Sequence, residues 1–172
     1  KAIEYHQKYF AVFDKEGNVS TNFVIVQNGI EDKNGEIAKG NSRVLKARLS
    51  DASFFYEGDK KHSFNDWLEK LKGVIFYSGI GNVNDKVARI KKLALNIAPA
   101  AGKQQLKEDL EKAAEICKCD LVTNMVVEFP ELQGIVGREY ALEKGIEKRI
   151  ANSVSEHYKP HFSGDSLPST EL

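Results

Sequence analysis

Tyr9-Phe10-Ala11-Val12-Phe13 is an apolar, β-prone run closed by the turn-forming cluster Asp14-Lys15-Glu16-Gly17-Asn18. Phe23-Val24-Ile25-Val26 follows as a second run and stops at Asn28-Gly29. Two such runs about a turn predict an antiparallel hairpin. Each run is continuously apolar, so both faces are expected to be covered. From about Glu36 the period lengthens. Leu45, Leu49, Ala52 and Tyr56 recur at helical spacing, with Asn41 or Ser42 as the expected N-cap. A short helix after the cap residue Ser63 is followed by the glycine loop "GVIFYSGIGN", which admits a strand at residues 74–77. The next helix turns Val87, Ile90, Ala94 and Ile97 inward and Lys86, Arg89 and Lys92 outward. Leu106, Leu110, Ala113/Ala114 and Cys117 then carry one repeating stripe. Two more helices fall at residues 130–145 and 146–158. In the first, Gly134 and Gly137 sit in a helix interior entered through Pro130, at roughly 1 kcal/mol each relative to alanine. With Ala141 they form a strip of small residues that lets another backbone approach. The pattern predicts a mainly α chain with a small N-terminal β-hairpin, an α+β fold, divided into residues 1–62 and 63–172.

Charge bears on what such an array can bind. Lys+Arg and Asp+Glu both number 25 in 172 residues, so the net charge is zero and polyanion binding must rest on a local face. Lys39, Arg43, Lys46 and Arg48 form one such run. Lys86, Arg89, Lys91 and Lys92 form another, and no acid interrupts either. A solvated helix surface is the ordinary alternative. His157, His161 and Asp165 recur every four residues, a spacing that could place three metal ligands on one helix face. Pro160 and Gly164 interrupt it, so the helix is expected to end near Tyr158 and the ligands to disperse. His6 reads as a structural hydrogen-bonding residue and His62 as exposed. Cys117 and Cys119 fit neither a zinc knuckle nor a comfortable disulfide and read as packed thiols in a reducing, cytoplasmic setting. No phosphate-cradling loop and no nucleophile elbow is present. The chain has neither a membrane-length apolar run nor a leader pattern, and both ends read as internal to something longer.

Three phrases, "YHQKYFAVFDKEGN", "GNSRVLKARLSDASFFYEGD" and "DLVTNMVVEFPELQGIVGREYA", followed by "EHYKPHFSGDSLPST", resemble the central part of the β subunit of the bacterial heterotetrameric glycyl-tRNA synthetase. The resemblance implies a partner α subunit that carries aminoacylation with ATP and Mg, a β subunit that contributes tRNA(Gly) binding and scaffolding, and no cofactor in this fragment. It also implies a helical domain similar to the HD-type metal phosphohydrolases. There the His-Asp pair would fall at Cys119-Asp120 and the early histidine near Asn84 or Asp85, so both histidines are missing and no intact metal site is expected. On that footing the six tRNA-contact candidates are Lys39, Arg43, Lys46, Arg48, Arg89 and Lys92. Two alternatives remain. One is a metal-dependent phosphohydrolase using His157, His161, Asp165 or Asp120; the other is an interaction module that docks the α subunit without touching RNA.

Overall fold

The computed structural model describes residue 4, residues 8–29 and residues 31–172. His6 lies outside the described residues. The chain divides into two compact units, Lys1–Phe55 and Tyr56–Leu172.

In the first unit, β1 (Tyr9–Phe13) and β2 (Val19–Ile25) pair antiparallel, with Tyr9 opposite Ile25 and Phe13 opposite Val19. Asp14 fixes the turn. Its carboxylate accepts the Glu16 and Asn18 N–H groups at 2.9 and 2.8 Å, and those bonds hold it below the ordinary carboxylate pKa. Only Tyr9 of the two strands is buried; Phe10, Phe13, Val19 and Val24 are exposed, so the expected burial of both faces is not found among the described residues. A long helix, α1 (Glu36–Asp59), begins five residues before the expected cap. The reason is Asp32, whose carboxylate accepts the Ile37 and Ala38 N–H groups at 3.2 and 2.9 Å and so caps the helix from four residues upstream. Asn41 instead lies inside α1, where it donates to the Ile37 carbonyl and accepts the Tyr9 hydroxyl at 2.5 Å. Leu49, expected inward, is exposed.

The second unit is helical. Ser63 caps α2 (Phe64–Leu71) in a reciprocal box with Asp66, as its sequence position predicts. A two-stranded hairpin, β3 (Ile75–Tyr77) with β4 (Gly81–Asn82), leads through the Asn82–Asp85 capping box into α3 (Val83–Ala100). The stretch that carries the stripe of Leu106, Leu110, Ala113/Ala114 and Cys117, residues 102–129, is divided into several short helices. A 3₁₀ turn at Gln104–Leu106 precedes α4 (Lys107–Ile116), a second turn spans Cys119–Val122, and α5 covers Asn124–Glu128. The break has two causes at the start of α5. Thr123 Oγ1 accepts the Val126 N–H, and the Asp59 carboxylate accepts those of Asn124 and Met125, so the chain re-initiates a helix there.

A 3₁₀ turn at Pro130–Leu132 then precedes α6 (Ile135–Glu143), and α7 (Lys148–Glu156) closes the array. Gly134 is not a helix-interior residue. It stands at the N-cap of α6 with φ of +79°, a conformation that glycine adopts at little cost. Gly137 is inside the helix and buried, and a Cβ there would lie 3.0 Å from both Asp120 and Val154. The small-residue strip thus does permit close packing, of α6 on α7 and on the 119–122 turn. The core gathers Trp67, Leu71, Tyr140, Ile150 and Val154, all at most 1% exposed. Tyr140 stacks on Tyr56 at 5.2 Å and leans on Trp67 at 5.3 Å. Val87 is buried as expected, whereas Ile97 is exposed.

Candidate functional site

Cys119-Asp120, where a His-Asp metal pair is expected to fall, is built from buried groups. Asp120 is 1% exposed; its Oδ2 accepts the Gly134 N–H at 2.5 Å, and burial raises its pKa against that bond. Its neighbour Cys119 is equally buried, and burial raises its thiol pKa well above the ordinary thiol value. Burial likewise pushes the Cys117 thiol up to about 11, so both cysteines stay protonated at neutral pH. The buried Lys118 ammonium lies 2.7 Å from His157 Nε2 and 3.8 Å from the centre of the Tyr158 ring. His157 Nδ1 lies 2.7 Å from the Val154 carbonyl and must donate to it, which leaves Nε2 as the acceptor for Lys118. Burial first, then the Lys118 charge, pushes the His157 pKa down to about 4.

A catalytic metal needs several convergent anionic or neutral donors. Here one carboxylate, two protonated thiols and an ammonium share the neighbourhood, so the residues do not fit a metal. His157, His161 and Asp165 are not brought together either. His157 is tied to Lys118, while Asp165 accepts the backbone N–H groups of His161 and Ser166 at 2.9 and 2.7 Å. No group of three His, Cys, Asp or Glu among the described residues could hold a metal ion. Asp85, at the place of the early histidine, caps α3 by accepting the Asn82 N–H at 2.9 Å.

The basic runs differ in how much of their charge is left uncompensated. On α1, Lys39 is paired with Glu36 at 2.9 Å, while Arg43 and Lys46 are exposed and form no ion pair among the described residues. Arg48 is half-buried. On α3, Lys91 is held by Glu111 and Glu115 of α4, both at 2.6 Å, and those hydrogen bonds raise its pKa. Lys92 is exposed and forms no ion pair among the described residues. Arg89 Nη1 donates to the Ile80 carbonyl at 3.2 Å, and the Lys86 ammonium sits 3.9 Å over the Phe76 ring. The charges were legible in the sequence, but the pairing of Lys91 depends on residues 20 and 24 positions on. Sequence reasoning also missed Asp59, buried at the end of α1, whose carboxylate gathers Asn124, Met125 and the Tyr140 hydroxyl within 3.1 Å. A lone aspartate in a helix gives no local sign of partners 65 to 81 residues away.

The second unit is thus a helical array with one buried ammonium, Lys118, and with exposed basic residues on α3. The chain belongs to the glycyl-tRNA synthetase beta subunit family, whose sequence model matches residues 1–172. It is 47% identical over 165 residues to a glycine–tRNA ligase beta subunit of Syntrophomonas wolfei, covering 96% of this chain and 24% of that protein. Beta subunits from Halothermothrix orenii and Synechocystis are 45% and 44% identical over 166 and 164 residues, covering 96% and 95% of this chain and 24% and 23% of theirs. The chain therefore spans about a quarter of the length of the relatives it matches. No helix among the described residues is long and apolar enough to cross a membrane.

Proposed function

We propose that this chain is the central segment of a glycine–tRNA ligase β subunit, and that it contributes tRNA(Gly) binding and scaffolding to ATP-dependent glycylation in the cytoplasm. In this reading the α subunit is its partner and holds the ATP, Mg and aminoacylation chemistry. Lys39, Arg43, Lys46, Arg48, Arg89 and Lys92 are the phosphate-contact candidates. The observation that carries the reading is that Arg43, Lys46, Arg89 and Lys92 form no ion pair among the described residues, on a chain with zero net charge. Where no acid neutralises a surface cation, counterion release at a phosphate is the gain available to it. Lys39, ion-paired to Glu36, is the weakest of the six.

The test is tRNA affinity of the αβ holoenzyme as a function of salt. Arg43→Ala/Lys46→Ala and Arg89→Ala/Lys92→Ala should each bind more weakly and lose about one unit of log–log salt slope per phosphate contact removed. Lys91→Ala is the control, because Glu111 and Glu115 already neutralise it; its slope should match wild type. Unchanged slopes in both double variants would refute the reading. Dissociation of the α subunit with tRNA affinity intact would favour the docking-module alternative.

A further inference from the structure

The β3–β4 hairpin presents apolar side chains to solvent that its own fold does not use. Ile75 is 80% exposed, Tyr77 65%, Ile80 52% and Phe76 44%. The pairing is bulged between Ile75 and Tyr77, which stand opposite the adjacent residues Asn82 and Gly81, so strict alternation of faces does not hold across this strand. The hairpin does not need these rings for its geometry. That comes from the pairing of Ile75 with Asn82 and Tyr77 with Gly81, from the Val83 N–H to Val74 carbonyl bond at 2.8 Å, and from positive φ at Gly79 and Gly81. The surroundings are cationic. Lys86 covers one face of Phe76, Arg89 is anchored at 3.2 Å to the turn carbonyl of Ile80, and Lys92 lies one turn further along α3. The anchoring bond occupies one of the five guanidinium donors of Arg89 and leaves the others for a ligand. Asp85, at the start of α3, is turned onto the Asn82 N–H.

The Ile80 N–H donates to the Tyr77 carbonyl at 3.0 Å and the Ile80 carbonyl accepts from Arg89, so an exposed ring and a pre-positioned guanidinium meet at one turn, which matches the two components of an RNA nucleotide, a flat base and a phosphate. We propose that Tyr77 is a stacking platform for an unpaired nucleotide of the bound RNA, with Arg89 and Lys92 holding the adjacent phosphates. The inference rests on the tRNA-binding reading above and adds to it a second kind of contact, one that does not depend on charge. A base paired inside a duplex has no free face to offer, so the ligand is an unpaired position, at the 3′ end or in a loop.

The test uses the αβ holoenzyme with intact tRNA(Gly), with the same tRNA trimmed of its unpaired 3′ nucleotides, and with a blunt RNA duplex. Tyr77→Ala should bind intact tRNA about fivefold to a hundredfold more weakly, the range of a lost base–aromatic stack, with its salt slope unchanged. Tyr77→Phe should restore binding, because stacking uses the ring and not the hydroxyl. Blunt duplex should bind Tyr77→Ala and wild type equally. If the penalty disappears with trimmed tRNA, the stacked base belongs to the 3′ end; if it persists, it belongs to a loop. Wild-type affinity of Tyr77→Ala for intact tRNA, alongside a reduced salt slope in Arg89→Ala/Lys92→Ala, would overturn the stacking site and leave tRNA binding standing. Wild-type behaviour of both would remove both. Loss of the α subunit from Tyr77→Ala would make the patch a protein interface and also overturn the proposal.

Discussion

Asp59 shows how one buried charge can organise distant parts of a chain. Its two oxygens accept the Asn124 N–H and side-chain amide, the Met125 N–H and the Tyr140 hydroxyl at 2.8 to 3.1 Å. The carboxylate therefore sits at the N-terminus of α5, where unpaired N–H groups and the helix dipole both favour a negative charge. Asp59→Asn keeps the volume but points an NH₂ at donors. At least one buried N–H then loses its acceptor, which costs about 1–3 kcal/mol on top of the lost charge-assisted bonds. The variant should be destabilised by about 2–4 kcal/mol, read as a shift of the urea midpoint at unchanged slope. A loss below about 1 kcal/mol would mean that Asp59 does not hold α5 in place.

At the scale of the element, the start of α6 depends on Gly134. Its φ of +79° is unfavourable for any residue with a Cβ, and an added Cβ would lie 2.8 Å from the Tyr158 ring. Gly134→Ala should cost about 2–4 kcal/mol through strain and overlap together. Gly137→Ala meets Asp120 and Val154 at 3.0 Å but regains about 1 kcal/mol of helix propensity, so it should cost less. Thermal midpoints of the two variants order them, and a Gly134→Ala as stable as Gly137→Ala would contradict this account. The same stretch shows what the sequence could and could not disclose. The first hairpin, the Ser63 cap and the inward Val87 were readable because their causes lie within a few residues. The α5 re-initiation was not, because Asp59 supplies it from 65 residues away. Gly134 was read as helix interior because a helical period runs through it, while the ring of Tyr158 that excludes a side chain lies 24 residues on. In the candidate site the cations were legible, and even Lys39–Glu36 could have been read at its three-residue spacing; the neutralisation of Lys91 by α4 could not.

Across the whole molecule, zero net charge means that the pH dependence of stability comes from individually perturbed groups and not from general repulsion. Several carboxylates with lowered pKa values, Asp14, Asp32, Asp66, Glu111 and Asp165 among them, make folding acid-sensitive at low pH, and the two largest shifts of this sense belong to His157 and Glu156. His157, with its folded pKa near 4 against 6.5 unfolded, binds protons more readily in the unfolded chain. Its contribution is full above about pH 6.5 and is lost as pH falls towards 4. Glu156 accepts four hydrogen bonds from Ser169 and Thr170, and the Ser169 hydroxyl leads in lowering its pKa to about 2. That contribution is full above about pH 4.5 and is lost towards pH 2. Asp120 acts in the opposite sense. Its folded pKa is raised, so the cost of burying its charge is relieved as pH falls through that value. These windows are separable, because His157 acts between pH 6.5 and 4.5 before Glu156 has begun to protonate. Urea-derived stability of the chain should therefore fall across that first interval, and His157→Gln, which cannot titrate there, should flatten it whatever its stability at pH 7. Glu156→Gln should leave the upper slope intact and change the curve only below about pH 4.5. If His157→Gln keeps the wild-type slope between pH 6.5 and 4.5, burial and the Lys118 charge do not hold the imidazole neutral, and the Lys118–His157 pairing is misassigned.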